Sequence, residues 1–323
     1  MEKQKMINIL FTSVGRRVEL IQAFRNAAEK IGVEITVFGA DIDHTAPALM
    51  FCDHKLIVPR IRSDQYIPAL KKICVENRID GLIPTIDTDL LLLSQNRTLL
   101  EEKGTVVFIS DSEKISICRD KRLTADYFIS LGLKSPRPVD DYRKYTGGYP
   151  AFIKPKDGSS SIFAYEINNE EELKTYAERV PDYIVQPFIK GTEYTIDAFC
   201  DTNGKPVYIT PRVRLAVRAG EVLKTEICQD ERIIEEAKAV LADFKPRGAI
   251  TIQLIRDDCT GEDYYIEINP RFGGGAPLSI MAGADSAEAV LRILCGENLS
   301  YIDHAAENKA VYSRFDQSIR VDK

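Results

Sequence analysis

Tyr264-Tyr265-Ile266-Glu267-Ile268-Asn269-Pro270-Arg271 alternates at every second residue, so that Glu267, Asn269 and Arg271 share one face and Ile266 and Ile268 take the other. The pattern is that of a strand with one apolar side, ended by a proline that cannot donate to a ladder. A carboxylate and an amide oxygen side by side are hard ligands, suited to Mg²⁺ at about 2.0 to 2.1 Å when substrate phosphates complete the octahedron. Arg271, one strand step on, is placed to hold a phosphoryl oxygen. Upstream, Gln253 is the polar interruption in Ala249-Ile250-Thr251-Ile252-Gln253-Leu254-Ile255, and a turn over Asp257 to Gly261 makes the two segments a hairpin. Gln253 then stands beside Glu267 as a third oxygen ligand. Taken alone, the same residues also read as the solvated face of an antiparallel sheet.

Two earlier stretches have a compatible chemistry. Phe152-Ile153-Lys154-Pro155-Lys156-Asp157-Gly158-Ser159-Ser160-Ser161 is a strand ending in lysine, followed by a loop of small residues. A lysine there meets phosphate as a point charge, and small residues let backbone N–H groups approach its oxygens. The order GxxxxGK[ST] is absent, so this is no Walker loop, and a plain surface hairpin has the same composition. Tyr183-Ile184-Val185-Gln186-Pro187-Phe188-Ile189-Lys190-Gly191-Thr192-Glu193 reads as an apolar strand running into a hinge.

The first third alternates strands and amphipathic helices: Ile7–Phe11, a helix through Val18, Leu20, Ile21, Phe24 and Ala28, Ile35–Phe38, a helix over Tyr66–Cys74, Leu82–Ile83, a helix over Leu90–Leu100, and Val106–Ile109. This predicts a small doubly wound α/β unit with a parallel sheet. Gly15 follows the first strand and Asp41 ends the second, but one glycine cannot supply the three of a dinucleotide fingerprint, which disfavours NAD and an oxidoreductase. A helical stretch over Ser112–Leu131 and the pair Pro136, Pro138 lead to an α+β unit. Its strands are expected at Ala151–Lys154, Ile162–Glu166 and Tyr183–Gln186, around a helix over Glu170–Val180. Longer strands follow at Thr192–Cys200, Pro206–Val213, Gly248–Arg256 and Tyr264–Asn269, with a helix over Glu231–Phe244 and a hairpin at Asp201–Lys205.

Composition removes several classes. In 323 residues, 44% hydrophobic and 28% charged residues are ordinary globular usage, which excludes a disordered or fibrous chain. A net charge of −6 repels polyanions, so nucleic acid is not expected as a partner. No apolar run is long enough to cross a bilayer, and a cytoplasmic protein without membrane contact is expected. The seven cysteines are scattered without a CxxC pair and read as reduced packing thiols, and with three histidines no zinc set is apparent.

The ordered series is more specific than its parts. A helical Lys121, Lys154 with its small-residue loop, the hinge ending in Gly191-Thr192-Glu193, then Gln253 and Glu267-Ile268-Asn269-Pro270-Arg271 resembles the ATP-grasp superfamily, in particular one synthetase unit of the carbamoyl-phosphate synthase large chain. The resemblance covers nearly the whole chain. It implies a Rossmann-like pre-ATP-grasp domain over 1–112, then an ATP-grasp fold with a small lid subdomain over 113–190 and a large subdomain over 191–323. It further implies Lys121 and Lys154 on the ATP phosphates, Ser159, Ser160 and Ser161 in a closing loop, Gln186 with the backbone of Phe188 and Ile189 at adenine, and Glu193 on the ribose. Gln253, Glu267 and Asn269 would hold Mg²⁺, or Mn²⁺ in its place, and Arg271 and Lys154 would be catalytic. Gln186 departs from the glutamate common in relatives but keeps one acceptor oxygen, which loosens the preference for ATP.

Such enzymes activate a carboxylate as an acylphosphate that an amine, thiol or ammonia attacks, releasing ADP. The implied function is an ATP-dependent carboxylate–amine ligase on an amino acid or other small carboxylate. With one synthetase unit in the sequence, a stand-alone ligase is expected, and a homodimer is common among relatives. For the substrate, Arg214 in the series Arg212, Arg214, Arg218 offers a carboxylate fork, and Gly273 and Gly274 leave backbone N–H groups open after Arg271. Arg16 and Asp87 follow strands of the first unit, on the edge where open sheets bind ligands. The rival reading is a nucleotide-binding sensor, or a subunit of a larger assembly, that performs no chemistry.

Overall fold

A computed structural model describes residues 6–158 and 162–321. In the first unit, β1 (Met6–Thr12), β2 (Glu34–Asp41), β3 (His54–Ile57), β4 (Gly81–Pro84) and β5 (Val106–Val107) form a parallel sheet in the order β3-β2-β1-β4-β5. The chain reverses direction across the sheet between β1 and β4, so the crevice for ligands opens at residues just after those two strands. Helix α1 (Val18–Ile31) buries Leu20, Ile21, Phe24, Ala27 and Ala28, one stripe at helical spacing, and Gly32 ends it at φ 69°. Helix α2 (Tyr66–Glu76) covers the opposite sheet face, followed by α3 (Asp87–Gln95) and α4 (Arg97–Glu101).

The expected helix over Leu90–Leu100 is therefore two, divided at Asn96, whose amide bonds back to the Leu92 carbonyl at 2.9 Å. The stretch Ser112–Leu131 is likewise two helices, α5 (Ser112–Arg119) and α6 (Lys121–Ser130). Asp120 between them has an extended backbone and caps α6 by accepting from the Arg122 N–H at 2.9 Å. This break puts Lys121 at the start of a helix.

The small antiparallel sheet has the order β7-β6-β8, with β6 (Ala151–Pro155), β7 (Tyr165–Ile167) and β8 (Tyr183–Pro187), covered by α7 (Glu170–Ala177). The strand expected from Ile162 begins three residues later, because Phe163 has φ 57° and Ile162 is 62% exposed. The large sheet is antiparallel: β13 (Asp263–Asn269), β12 (Gly248–Asp257), β9 (Gly191–Cys200), β10 (Pro206–Arg218), β11 (Glu221–Ile227) and β14 (Val311–Ser313), in that spatial order. Helix α8 (Glu231–Phe244) lays Ile233, Ile234, Ala237, Val240, Leu241 and Phe244 on it.

Short helices α9 (Ala276–Met281) and α10 (Ser286–Leu294) lie between β13 and β14. They join the first unit to the large sheet, since one continuous core contains Ile7, Phe24 and Ala28 together with Phe199, Phe272, Val290 and Leu291. A Cβ on Gly81 of β4 would lie 2.8 Å from Leu294, a measure of how closely α10 approaches that strand.

Candidate active site

β12 and β13 pair with Gln253 opposite Glu267 and Thr251 opposite Asn269, as the hairpin reading required, and a bulge follows Gln253. Asn269 is buried, with its Oδ1 3.5 Å from Arg271. Lys154, at the end of β6, is buried as well, and its Nζ lies 5.7 Å from the centre of the Phe152 ring. Burial pushes its pKa down to about 8, the nearby Lys121 adds to the fall, and Glu267 opposes it. Burial also lowers the pKa of Lys121, again opposed by Glu267. Two lysines from different elements thus lie within the electrostatic reach of one carboxylate, a concentration of positive charge that favours a polyanion.

Lys121 Nζ donates to the Gly158 carbonyl at 2.8 Å, and its backbone N–H donates to the Lys156 carbonyl at 3.0 Å, tying α6 to the segment after β6. Ser159, Ser160 and Ser161 lie outside the described residues. Gln186 is buried in β8 opposite Phe152. The Phe188 N–H already donates to the Pro150 carbonyl at 3.2 Å, and the Phe188 ring lies 6.1 Å from Phe152, at the same end of the small sheet. Glu193 is half-exposed and pairs with Arg214 at 3.3 Å. Arg214 in turn reaches the Gln253 Oε1 at 3.4 Å and the Gly220 carbonyl at 2.9 Å, so it spans the hinge carboxylate and the metal-ligand candidate. The arginines of β10 do not alternate as a free face: bulges follow Arg214, Arg212 pairs with buried Asp197 at 2.8 Å, and Arg218 pairs with Asp316 at 2.6 Å.

The first sheet meets this site through its carboxyl edge. Asp87, at the start of α3, pairs with Arg271. Asp89 turns inward, where it accepts from Thr12 Oγ1 and Tyr66 OH at 3.0 Å and Ser13 Oγ at 3.2 Å, and burial raises its pKa to about 6. Asp41 accepts from the Gly15 N–H at 2.8 Å, which fixes the turn after β1 rather than leaving an acid free for a ribose. Arg16 is 83% exposed, its nearest acid Asp316 at 3.8 Å. Its neighbour Arg17 is the more buried of the two, 3.4 Å from the Thr85 carbonyl and 3.7 Å from Glu221, and strand-and-turn reading gave no way to choose between them.

Gly273-Gly274-Gly275 is a packed turn, not a loose one. A Cβ on Gly273 would meet Thr251 Oγ1 at 2.7 Å, and one on Gly274 would overlap the Glu221 carboxylate at 1.9 Å. Among the described residues no group of three His, Cys, Asp or Glu side chains could hold a metal, and all seven cysteines are free.

Residues 9–108 match the model of the PylC-like N-terminal domain, and residues 118–275 match an ATP-grasp domain model. The chain belongs to the ATP-grasp proteins, with a PylC-like domain preceding the ATP-grasp fold. It is 23% identical over 228 residues to a 3-methyl-D-ornithine–L-lysine ligase of Methanosarcina mazei, covering 70% of this chain and 58% of that protein. It is 24% identical over 331 residues to the carbamoyl phosphate synthase large chain of Thermoplasma volcanium, covering 92% of this chain but 30% of that one. The chain thus spans little more than half, or less, of these relatives' lengths. Its fold is that of the biotin carboxylase domain of Hydrogenobacter thermophilus 2-oxoglutarate carboxylase, with a TM-score of 0.74 at 18% identity over 95% of this chain and 74% of that one. Among the described residues no helix is long and apolar enough to cross a membrane.

Proposed function

We propose that the chain is an ATP- and Mg²⁺-dependent, ADP-forming ligase that joins a small carboxylate to an amine. Lys121 and Lys154, both within the electrostatic reach of Glu267, together with Arg271 two residues beyond Asn269, carry this reading. Both lysines have pKa values lowered by burial, so each gains from an anion, and the triphosphate of ATP is the anion that fits two cations beside a metal-binding carboxylate. Glu267, Gln253 and Asn269 are the residues that would hold Mg²⁺. One carboxylate with two amide oxygens is a hard donor set of low charge, suited to a cation shared with phosphates. The bound cation would neutralise charge on the transferring phosphoryl group.

In this reading Lys154 holds the phosphates and Arg271 stabilises the phosphoryl group as it leaves ADP for the substrate carboxylate. Gln186 and the backbone at Phe188 and Ile189 face the base, and Glu193 the ribose, with Arg214 holding Glu193 in place. The ligase names of two ATP-grasp relatives, the lysine ligase above and a D-alanine–D-alanine ligase B of Clostridium perfringens, 29% identical over 155 residues, support C–N bond formation. The test is ADP release with Mg²⁺-ATP against pools of amino acids, other small carboxylates, ammonia and bicarbonate. Pool-dependent ADP that falls at least 100-fold in Glu267→Ala is expected; ATP binding without turnover in any pool would favour a sensor instead.

A further inference from the structure

Asp89 is fully buried and has no part in the proposed chemistry. It stands in the first turn of α3, two residues after Asp87, the carboxylate that pairs with Arg271 across the interface between the first unit and the large sheet. Three hydroxyls donate to one of its oxygens, Oδ2: Thr12 Oγ1 at the end of β1 at 3.0 Å, Ser13 Oγ in the turn that follows at 3.2 Å, and Tyr66 OH at the start of α2 at 3.0 Å. Its other oxygen, Oδ1, is buried without a hydrogen-bond partner among the described residues. A carboxylate buried among neutral hydroxyls, with burial raising its pKa and the hydroxyls opposing the rise, is unfavourable in itself and marks a place where geometry matters more than stability. The turn it grips is constrained as well. Ser13 has φ 53° and Gly15 φ 44°, and Ser13 lacks a glycine's freedom in that left-handed region. Thr85 Oγ1, just after β4, donates to the carbonyls of Thr12 and Ser13 at 3.1 and 2.7 Å. The ends of β1 and β4 and the starts of α2 and α3 thus form one hydrogen-bonded block, and Asp87 projects from its rim.

Across the interface, the Arg271 guanidinium is oriented by Asp87 and by the Phe272 carbonyl at 3.1 Å, with Asn269 Oδ1 more distant at 3.5 Å. Where Asp87 stands therefore decides where that guanidinium points. We propose that Asp89 is a positioning residue for phosphoryl transfer: by tying the β1 turn and α2 to the first turn of α3, its carboxylate fixes Asp87, and through Asp87 it fixes Arg271. The inference rests on the ligase reading, in which Arg271 acts on the phosphoryl group. The ionised carboxylate is the form that grips, because a protonated carboxyl must place its own proton and cannot accept three hydroxyls at one oxygen while doing so. The groups around it leave that switch to Asp89 alone. The β1 side brings only the hydroxyls of Thr12 and Ser13, and Tyr66 of α2 has its pKa raised by burial and by Asp89, so it stays a donor. Asp87 on its own helix is held by Arg271, and Arg17 reaches only the Thr85 carbonyl on the β4 side, at 3.4 Å. Arg271 should lose its set position as pH falls through about 6.

The experiment follows ADP release between about pH 5 and 9, with Mg²⁺-ATP and the acid and amine that drive turnover in the pooled assay. It compares wild type with Asp89→Asn, Thr12→Val, Tyr66→Phe, Asp87→Ala and the double variant that combines Asp87→Ala with Asp89→Asn. Wild-type kcat should fall as pH drops through about 6. Asp89→Asn should lower kcat about 10- to 100-fold, the effect of a displaced group at a reacting centre, keep KM and ATP affinity within about twofold of wild type, and lose the acid limb. Thr12→Val and Tyr66→Phe each remove one donor to the ionised form, so each should move the limb to higher pH, which a merely structural contact would not do. These two buried, near-isosteric changes also decide the matter if Asp89→Asn fails to fold. With Asp87→Ala in place, the further change at Asp89 should alter kcat by less than about twofold, since the path to Arg271 is already cut. A limb unmoved in Thr12→Val and Tyr66→Phe, an equal loss from Asp89→Asn with and without Asp87, or a loss confined to ATP affinity overturns the proposal. Absence of wild-type turnover in every pool would remove the ligase, and the melting temperature then decides on Asp89. Asp87→Ala should lower it by about 2 to 4 °C at neutral pH, and by less than half as much in the Asp89→Asn background. Equal drops in the two backgrounds would show that Asp89 does not hold Asp87 against Arg271.

Discussion

Replacing Lys154 by Met should make the free protein more stable and the ATP-bound protein impossible to form. The side chain is buried, and its pKa is pushed from 10.5 to about 8, chiefly by burial. A fall of that size corresponds to a cost of roughly 3 kcal/mol for keeping the charged form folded at pH 7. The sign follows from proton counting. Between about pH 8 and 10.5 the unfolded chain binds the proton that the folded chain has lost, so stability from this group rises with pH across that window and the penalty is at its fullest below 8. A methionine fills the same space against Phe152 without the charge. Chemical denaturation at pH 7 should place Lys154→Met above wild type by about 1 to 3 kcal/mol, the lower bound allowing for relaxation around the lysine. The gap should narrow to about 1 kcal/mol near pH 9.5. Calorimetry with Mg²⁺-ATP should detect no binding to the variant. A variant less stable than wild type at pH 7, with a difference that does not vary with pH, would refute the argument that the lysine is held at a cost for an anion.

Asp197→Ala should destabilise by about 3 to 5 kcal/mol in the same denaturation assay, because it strands the buried Arg212 guanidinium and removes the acceptor for Ser279. Gly274→Ala should lower both stability and ADP release, since its Cβ would overlap the Glu221 carboxylate. Adding Glu221→Ala should restore the melting temperature of Gly274→Ala to within a few degrees of the Glu221→Ala single variant, and full additivity of the two changes would rule out the contact as the cause.

What the sequence made legible was chemistry carried on strands. The alternation in Tyr264–Arg271 and the hairpin at Asp257–Gly261 brought Gln253 opposite Glu267, because period two and a short turn leave one register. The interdomain pairings were not legible. Nothing local distinguishes Arg16 from Arg17, yet the first side chain is 83% exposed and the second 20%. Strand β11 and helix α10 were not read from the sequence, although α10 carries an apolar face through Ala287, Val290 and Leu291. The division at Asp120 is visible only afterwards. An aspartate amid charged residues looks helical until its carboxylate is seen capping the next helix.

The core shared by α1 and α10 also sets an order of events. The apolar stripe of α1 emerges early in synthesis, but the helix that covers part of it is made roughly 260 residues later, tens of seconds at ordinary translation rates. Over that interval Ile7, Phe24 and Ala28 lack Val290 and Leu291. That apolar face of the first unit therefore stays partly uncovered until the last helix docks, and a ribosome stalled before residue 286 would leave it exposed.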